Sequence, residues 1–211
     1  MAAASLVAGA TGLVGRAVLA ALLTADTTPS RGQAAAPAAA AGTSPPHPTD
    51  SLGAAATIHV LHARDRRPPA LAHPRLQLHA VDFSDLPALP AVNDVYITLG
   101  TTIAAAGSQS AFRKVDYDAV MATAQAARAA GASRCGVVTA MGANAHSRIF
   151  YNRVKGEVER DLQALGFATL VIARPSLMIG ERKALQQAAR PAESLSIQLF
   201  KWLDPLIPDN Y

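Results

Sequence analysis

The chain has 211 residues, half of them apolar, and only 16 % are charged, against roughly 25 % in typical soluble domains. No collagen period, coiled-coil composition or disorder-type charge excess is present, which leaves a globular protein with enough apolar residues for one sizeable core. The net charge of +4 with one short basic run, Arg64-Asp65-Arg66-Arg67, makes too small a footprint for nucleic acid.

Ser5 to Ala8 is a short apolar run that meets Gly9, and Leu13 to Leu23 then carries apolar residues at helical spacing. The pattern predicts strand, glycine turn, helix. Residues 27–53 hold five prolines and one large aliphatic residue, Leu52, so they are expected to form a long mobile surface insertion. Strands follow at Thr57–Ala63, Leu76–Val81 and Val92–Leu99. An Ala-rich helix is predicted over 110–130, with Gly131 as its cap. Cys135–Met141 reads as a strand, Phe150–Leu165 as a helix stopped by Gly166, and Phe167–Ala173 as a strand. A last helical stretch is predicted near 193–203, where Trp202, Phe200 and Leu203 make an apolar patch. Core packing is the plain account of that patch, and a homodimer contact the sharper one. Strands alternating with helices imply an α/β protein, a Rossmann-like doubly wound parallel sheet in a single domain without a large substrate lobe.

No apolar run is long enough to span a membrane. The start, MAAASLVAGATG, lacks a basic leader region, so no cleaved signal peptide is expected. Cys135 is the lone cysteine. It suits a reducing compartment, and a cytoplasmic location is expected. Four histidines between 59 and 79 lack completing carboxylates or thiolates, so no metal site is expected.

Gly9-Ala10-Thr11-Gly12-Leu13-Val14-Gly15 is a GxxGxxG run placed after the first strand and opening the first helix. That placement suits a dinucleotide pyrophosphate: Gly9 for the turn, Gly12 for its approach, Gly15 for close helix–sheet packing. The second strand ends in Arg64 where an acidic residue would bind the free ribose hydroxyl of NAD. A basic residue there favours the extra phosphate of NADP. Tyr151 and Lys155 are one helical turn apart, a spacing that lets an ammonium lower the pKa of a phenol and support proton transfer. Thr139, at the end of the preceding strand, could hold a substrate oxygen through its hydroxyl. Glu157, Glu159 and Arg160 read as a solvated helix surface, and Asp116 and Asp118, two apart, as residues that do not share a face.

The glycine run together with YITLGTT, FRKVDYD, FYNRVKGEVE and VIARPSLMIG resembles the atypical short-chain dehydrogenase/reductase superfamily, most of all the group around the Tat-interacting oxidoreductase (CC-three) and its small bacterial relatives. The resemblance implies a phosphate loop at Gly9, Thr11, Gly12, Leu13 and Val14, and an NADP-phosphate contact at Arg64. It places Asp82 and Phe83 beside the adenine, and Leu99, Gly100, Thr101 and Thr102 under the ribose. Tyr151 and Lys155 match the catalytic pair. Arg174, Pro175, Ser176 and Leu177 match a strand-end loop near the nicotinamide. It also implies a further strand and helix beyond DPLIPDNY, so the C-terminus reads as shortened. The expected function is an NADP-dependent oxidoreductase (NAD being the alternative cofactor) acting on a carbonyl or alcohol. The competing class is a cofactor-binding regulatory or scaffold protein with little turnover.

Overall fold

The computed structural model describes residues 4–24, 56–64 and 72–176. All but Ser176 belong to one compact unit, Met1–Pro175. The predicted insertion, the Trp202 tail and Leu177 lie outside the described residues.

Six parallel strands form one sheet in the order β3-β2-β1-β4-β5-β6: β1 Ser5–Ala8, β2 Ile58–Ala63, β3 Leu76–Val81, β4 Asp94–Ile97, β5 Arg134–Val138 and β6 Thr169–Ala173. The four residues of β1 are all buried, as expected of a central strand covered on both faces, whose sequence is apolar rather than alternating. The order reverses between β1 and β4, so the carboxyl ends of those two strands border the crevice where open α/β sheets bind ligands.

The helices are α1 Leu13–Thr24, α2 Ile103–Ala106, α3 Gln109–Arg113, α4 Ala119–Ala129 and α5 Phe150–Ala164. Leu6, Ala8, Val95, Ile97, Cys135 and Val137 face α4 and α5, meeting Val120, Ala124, Val158 and Leu162. Val7, Ile58 and Val60 face the other way and pack on Leu19 and Leu22 of α1. The alanines of α4 serve this packing: Ala124 and Ala127 are fully buried, and their small side chains let the helix lie close to the sheet. At the amino edge, Asp94 and Arg134 are register partners on β4 and β5. The Arg134 guanidinium donates to Asp94 Oδ2 at 2.8 Å, which pairs a buried carboxylate where no ligand is expected.

Three elements differ from their predicted form. The strand expected over Val92–Leu99 is confined to Asp94–Ile97. Val92 is buried but its N–H goes to the Ala130 carbonyl in a turn, at 3.2 Å. The strand expected to reach Met141 ends at Val138; Met141 is exposed and donates its N–H to Pro175. The helix expected over 110–130 is interrupted by a π turn, Lys114–Asp118, between α3 and α4.

Candidate functional site

The turn between β1 and α1 is built on two close approaches. Gly9 has a φ of +90°, and a Cβ there would stand 2.6 Å from the Thr98 carbonyl carbon. Only glycine meets both conditions without strain. A Cβ on Gly15 would stand 2.2 Å from the Gly9 carbonyl oxygen, so the first turn of α1 is seated directly on the loop. The Gly12 N–H donates to the Gly9 oxygen at 3.0 Å, closing the turn. The Thr98 hydroxyl donates to the Ala8 carbonyl at 2.9 Å and ties the ends of β1 and β4 together. Thr11, Leu13 and Val14 stand half-buried at the start of the helix.

Arg64 and Asp82 follow β2 and β3 at the same edge, both exposed. The Ser84 hydroxyl and N–H donate to Asp82 Oδ1 at 2.6 and 2.9 Å. These bonds chiefly hold the Asp82 carboxyl below its usual range, and the Arg64 charge acts in the same direction. Phe83 and Leu99 are half-buried against the core. Thr102 caps α2 by accepting from the Ala105 N–H at 3.0 Å.

Lys155 is the most enclosed of the expected site residues that carry a charge. Its Nζ lies 2.7 Å from Asp116 Oδ1, with both side chains almost wholly out of solvent. Asp116 Oδ2 accepts the Thr101 N–H at 2.8 Å. Tyr151, one turn earlier on α5, is half-buried, its ring tilted against that of Phe112 at 5.4 Å between centroids. The structure therefore brings Tyr151, Lys155 and the Gly100–Thr101 loop to one end of the sheet.

Thr139 is placed differently. It is 5 % exposed, and its hydroxyl donates to Glu159 Oε1 at 2.6 Å. Glu159 lies eight residues beyond Tyr151 on α5, about 12 Å along the axis at ~1.5 Å per residue. The structure commits this hydroxyl to Glu159 and, at 3.4 Å, to the Ala173 carbonyl. Glu159 is buried, which corrects the expectation of a solvated surface: it also accepts from Arg174 Nε at 2.9 Å. Pro175 lends its carbonyl to Met141 at 3.1 Å, and Ser176 is exposed.

Asp116 and Glu159 are the two site residues that sequence reasoning passed over. Asp116 lies in the π turn Lys114–Asp118 and faces inward with Phe112 and Val120, four residues to either side, while Asp118 stays exposed. Its partners, Lys155 and the Thr101 N–H, are remote in sequence. On the α1 side of β4–β6 an apolar groove of 260 Å³ is lined by Val14, Val18, Tyr96, Val138 and Val171. It runs along the face of the sheet from Asp94 and Arg134 to Thr98, Val138 and Ala173 at the carboxyl ends, and its lining surface is almost wholly apolar, so it does not suit a phosphate. Among the described residues no helix is long and apolar enough to cross a membrane, and no three His, Cys, Asp or Glu side chains are grouped to hold a metal. His59 and His79 pair with each other instead, 3.0 Å between ring nitrogens.

A six-stranded parallel sheet in this strand order, with a glycine turn after its first strand, defines a Rossmann-like doubly wound fold. It is similar to a UDP-glucose 4-epimerase from Thermotoga maritima with UDP-glucose, at a TM-score of 0.62 and 10 % identity, covering 94 % of this chain and 63 % of that one. It is also similar to a UDP-glucuronic acid 4-epimerase from Bacillus cereus in complex with NAD, at a TM-score of 0.59 and 14 % identity, covering 94 % and 62 %. Identities this low show the shared fold alone. The HIM1 family model matches residues 72–203, and the chain belongs to the HIM1 family.

Among its relatives is "Protein FMP52, mitochondrial" of Candida albicans, 40 % identical over 126 residues, or 56 % of this chain and 55 % of the relative. The protein of the same name in Saccharomyces cerevisiae is 39 % identical over 94 residues, or 44 % and 41 %. The chain spans about half the length of these curated relatives. Their names are mitochondrial, which overturns the expectation of a cytoplasmic protein.

Proposed function

We propose that the chain is a nicotinamide dinucleotide-binding oxidoreductase, with NADP preferred and a carbonyl or alcohol as substrate, acting in mitochondria as its relatives' names suggest. The observation that carries this reading is the burial of Lys155 at the carboxyl edge, under the Gly100–Thr101 loop and one helical turn from Tyr151. The tight packing at Gly9 and Gly15 seats the N-terminus of α1 on the end of β1, and at Gly12, where a built Cβ would meet the Gly9 oxygen at 3.4 Å, the backbone can be approached by a dinucleotide phosphate. Gly9, Thr11, Gly12, Leu13 and Val14 would hold the phosphates at a helix N-terminus. Leu99 to Thr102 would lie under a ribose, Asp82 and Phe83 beside the adenine, and Pro175, Ser176 and Leu177 near the nicotinamide. Arg64 is the reason for preferring NADP, as no carboxylate occupies its position at the end of β2.

The nicotinamide supplies hydride chemistry when bound. Tyr151 gives or takes the proton at the substrate oxygen through its phenol oxygen. Lys155 supports the phenolate by its charge and holds the ribose. Tyr151→Phe is expected to lower turnover roughly 10²–10⁴-fold with little change in cofactor affinity. The assay is loss of NADPH absorbance across a panel of carbonyl compounds. Near-unmodified turnover by Tyr151→Phe on an accepted substrate would overturn the assignment.

One observation favours the second reading, a dinucleotide-binding regulatory protein with little turnover. The Thr139 hydroxyl, expected to hold the substrate oxygen, is engaged by Glu159. Tight NADP binding with no turnover across the carbonyl panel would favour it.

A further inference from the structure

We propose that His59 and His79 form a two-imidazole binding site for a divalent transition-metal ion of the zinc and copper group, at the outer edge of the sheet and apart from the dinucleotide crevice. The expectation of no metal site rested on absent carboxylates and thiolates; here two neighbouring strands supply a pair of nitrogen donors that are remote in the chain.

The sheet fixes the donors. β3 is the edge strand, and its register with β2 sets His59 opposite Gln77 and Leu61 opposite His79. Register partners share a face, as do alternate residues of one strand. His59, Gln77 and His79 therefore stand together on the face where Leu61 joins the α4–α5 core. His59 is 6 % exposed, His79 is half-buried and Gln77 is exposed, so the pair is enclosed on the β2 side and reached from the edge strand. His59 precedes Arg64 by five residues, about 16 Å of strand at ~3.3 Å per residue. That distance separates the pair from the proposed NADP phosphate contact.

His59 Nδ1 and His79 Nε2 face each other at 3.0 Å, and the ring centres are 5.2 Å apart. Two imidazoles on one tetrahedral ion, with metal–nitrogen bonds of about 2.1 Å, hold their nitrogens about 3.4 Å apart and their ring centres about 5.3 Å apart. The ring centres already stand at the chelating distance, and each ring has only to turn until its nitrogen leans toward the ion. The contact between the rings is a hydrogen bond that keeps one proton between the facing nitrogens. On metal binding that proton passes through water to the other nitrogen of its own ring. Both imidazoles stay neutral and no proton is released. Burial is the chief cause that holds both rings below the usual imidazole range, so at neutral pH each can offer the unprotonated nitrogen a metal needs. Imidazole suits zinc and copper, with Cu²⁺ held more tightly than Zn²⁺. Water, and the Gln77 amide oxygen from the position opposite His59, complete the shell.

The test is calorimetric titration of the full chain with Zn²⁺ and with Cu²⁺ at pH 7.5, paired with thermal melts, on the unmodified chain and on His59→Phe, His79→Phe and His62→Phe. Phenylalanine keeps a ring and removes both nitrogens. His62, three residues after His59 on β2, points to the opposite face and serves as the control. The unmodified chain should bind one ion at this site, Cu²⁺ the tighter, and melt about 5–11 °C higher with free Zn²⁺ a hundredfold above its dissociation constant. His59→Phe and His79→Phe should weaken the ion roughly tenfold or more and lose the rise in melting temperature, while His62→Phe keeps both. Nitrogen-15 resonances of the histidine rings in the unmodified chain give a reading that needs no variant to fold: Zn²⁺ should shift His59 Nδ1 and His79 Nε2. No binding by the unmodified chain, equal binding by His79→Phe, or ring shifts confined to other histidines would overturn the proposal. None of these readings involves a dinucleotide, so their failure leaves the proposed function standing.

Discussion

Replacing Glu159 by glutamine should destabilise the fold modestly, and less than Asp116→Asn, although both changes neutralise a buried carboxylate. The difference lies in the partner left behind. Glu159 accepts from the Thr139 hydroxyl and from Arg174, and the Arg174 side chain is 54 % exposed. Once the carboxylate is neutral, the guanidinium can turn into water, and glutamine keeps one oxygen for Thr139. The loss should be about 1–2 kcal/mol, between the usual net worth of a neutral hydrogen bond and that of one to a charged group. Lys155 has no such escape, with 5 % of its side chain exposed, so Asp116→Asn should cost about 3–5 kcal/mol, as when one partner of a buried pair is removed. At ~2–4 °C per kcal/mol for a chain of this size, the melting temperature should fall by about 2–8 °C for Glu159→Gln and about 6–20 °C for Asp116→Asn. Far-UV circular dichroism melts at pH 7.5 would measure both. Equal losses, or a larger loss for Glu159→Gln, would refute the argument that solvent access of the orphaned partner decides the cost.

Further outcomes follow from the same geometry. Gly15→Ala places a methyl 2.2 Å from the Gly9 oxygen and should cost about 1–3 kcal/mol in chemical denaturation through overpacking; an unchanged urea midpoint would contradict the seating of α1 on the loop. His59 and His79 both titrate below their usual value, chiefly because burial disfavours the cation, with His79 adding to the effect at His59 and His62 at His79. The unfolded chain therefore takes up protons first as pH falls below about 6.5, so urea stability should decline from there toward the lowered values. His79→Gln should flatten that decline, and an equal slope in the variant would count against it. Burial pushes the Cys135 thiol up to about 12, so a thiol-reactive dye at pH 8 should label it only in denaturant; rapid labelling of the native chain would contradict its place in the core.

The order of elements was legible because strands buried on both faces are largely apolar, as SLVA in β1, VL within β2 and VYI in β4 are. The glycine turn was legible for a similar reason: SLVA ending on Gly9 and opening a periodic helix admits few other local structures. Strand ends were less so. Val92 and Met141 are apolar residues beside strands, yet one is buried outside the ladder and the other exposed, and only pairing with neighbouring strands decides where a ladder stops. The Tyr151–Lys155 pair could be read because helical spacing alone puts both on one face. Asp116 shares a helical face with Phe112 and Val120, yet its place in the site could not be read, since the groups that pair this buried carboxylate, Lys155 and the Thr101 N–H, meet it only in the folded chain. Glu159 was misread because a charged residue on a helix is usually solvated, and its burial follows from two distant partners, Thr139 and Arg174, that meet it only in the folded chain. Thr139 was placed correctly at the end of its strand, but the direction of its hydroxyl depends on that same meeting.

The central claim is that this chain binds a nicotinamide dinucleotide at the β1–α1 turn. Isothermal titration of the full chain with NADP⁺ and with NAD⁺, repeated on Gly9→Val, tests it most directly. The account predicts one dinucleotide per chain, NADP⁺ the tighter, with binding abolished in Gly9→Val. It also predicts that Arg64→Ala weakens NADP⁺ and leaves NAD⁺ unchanged. No heat of binding for either dinucleotide, or unaltered binding in a Gly9→Val chain that still melts cooperatively, would contradict it.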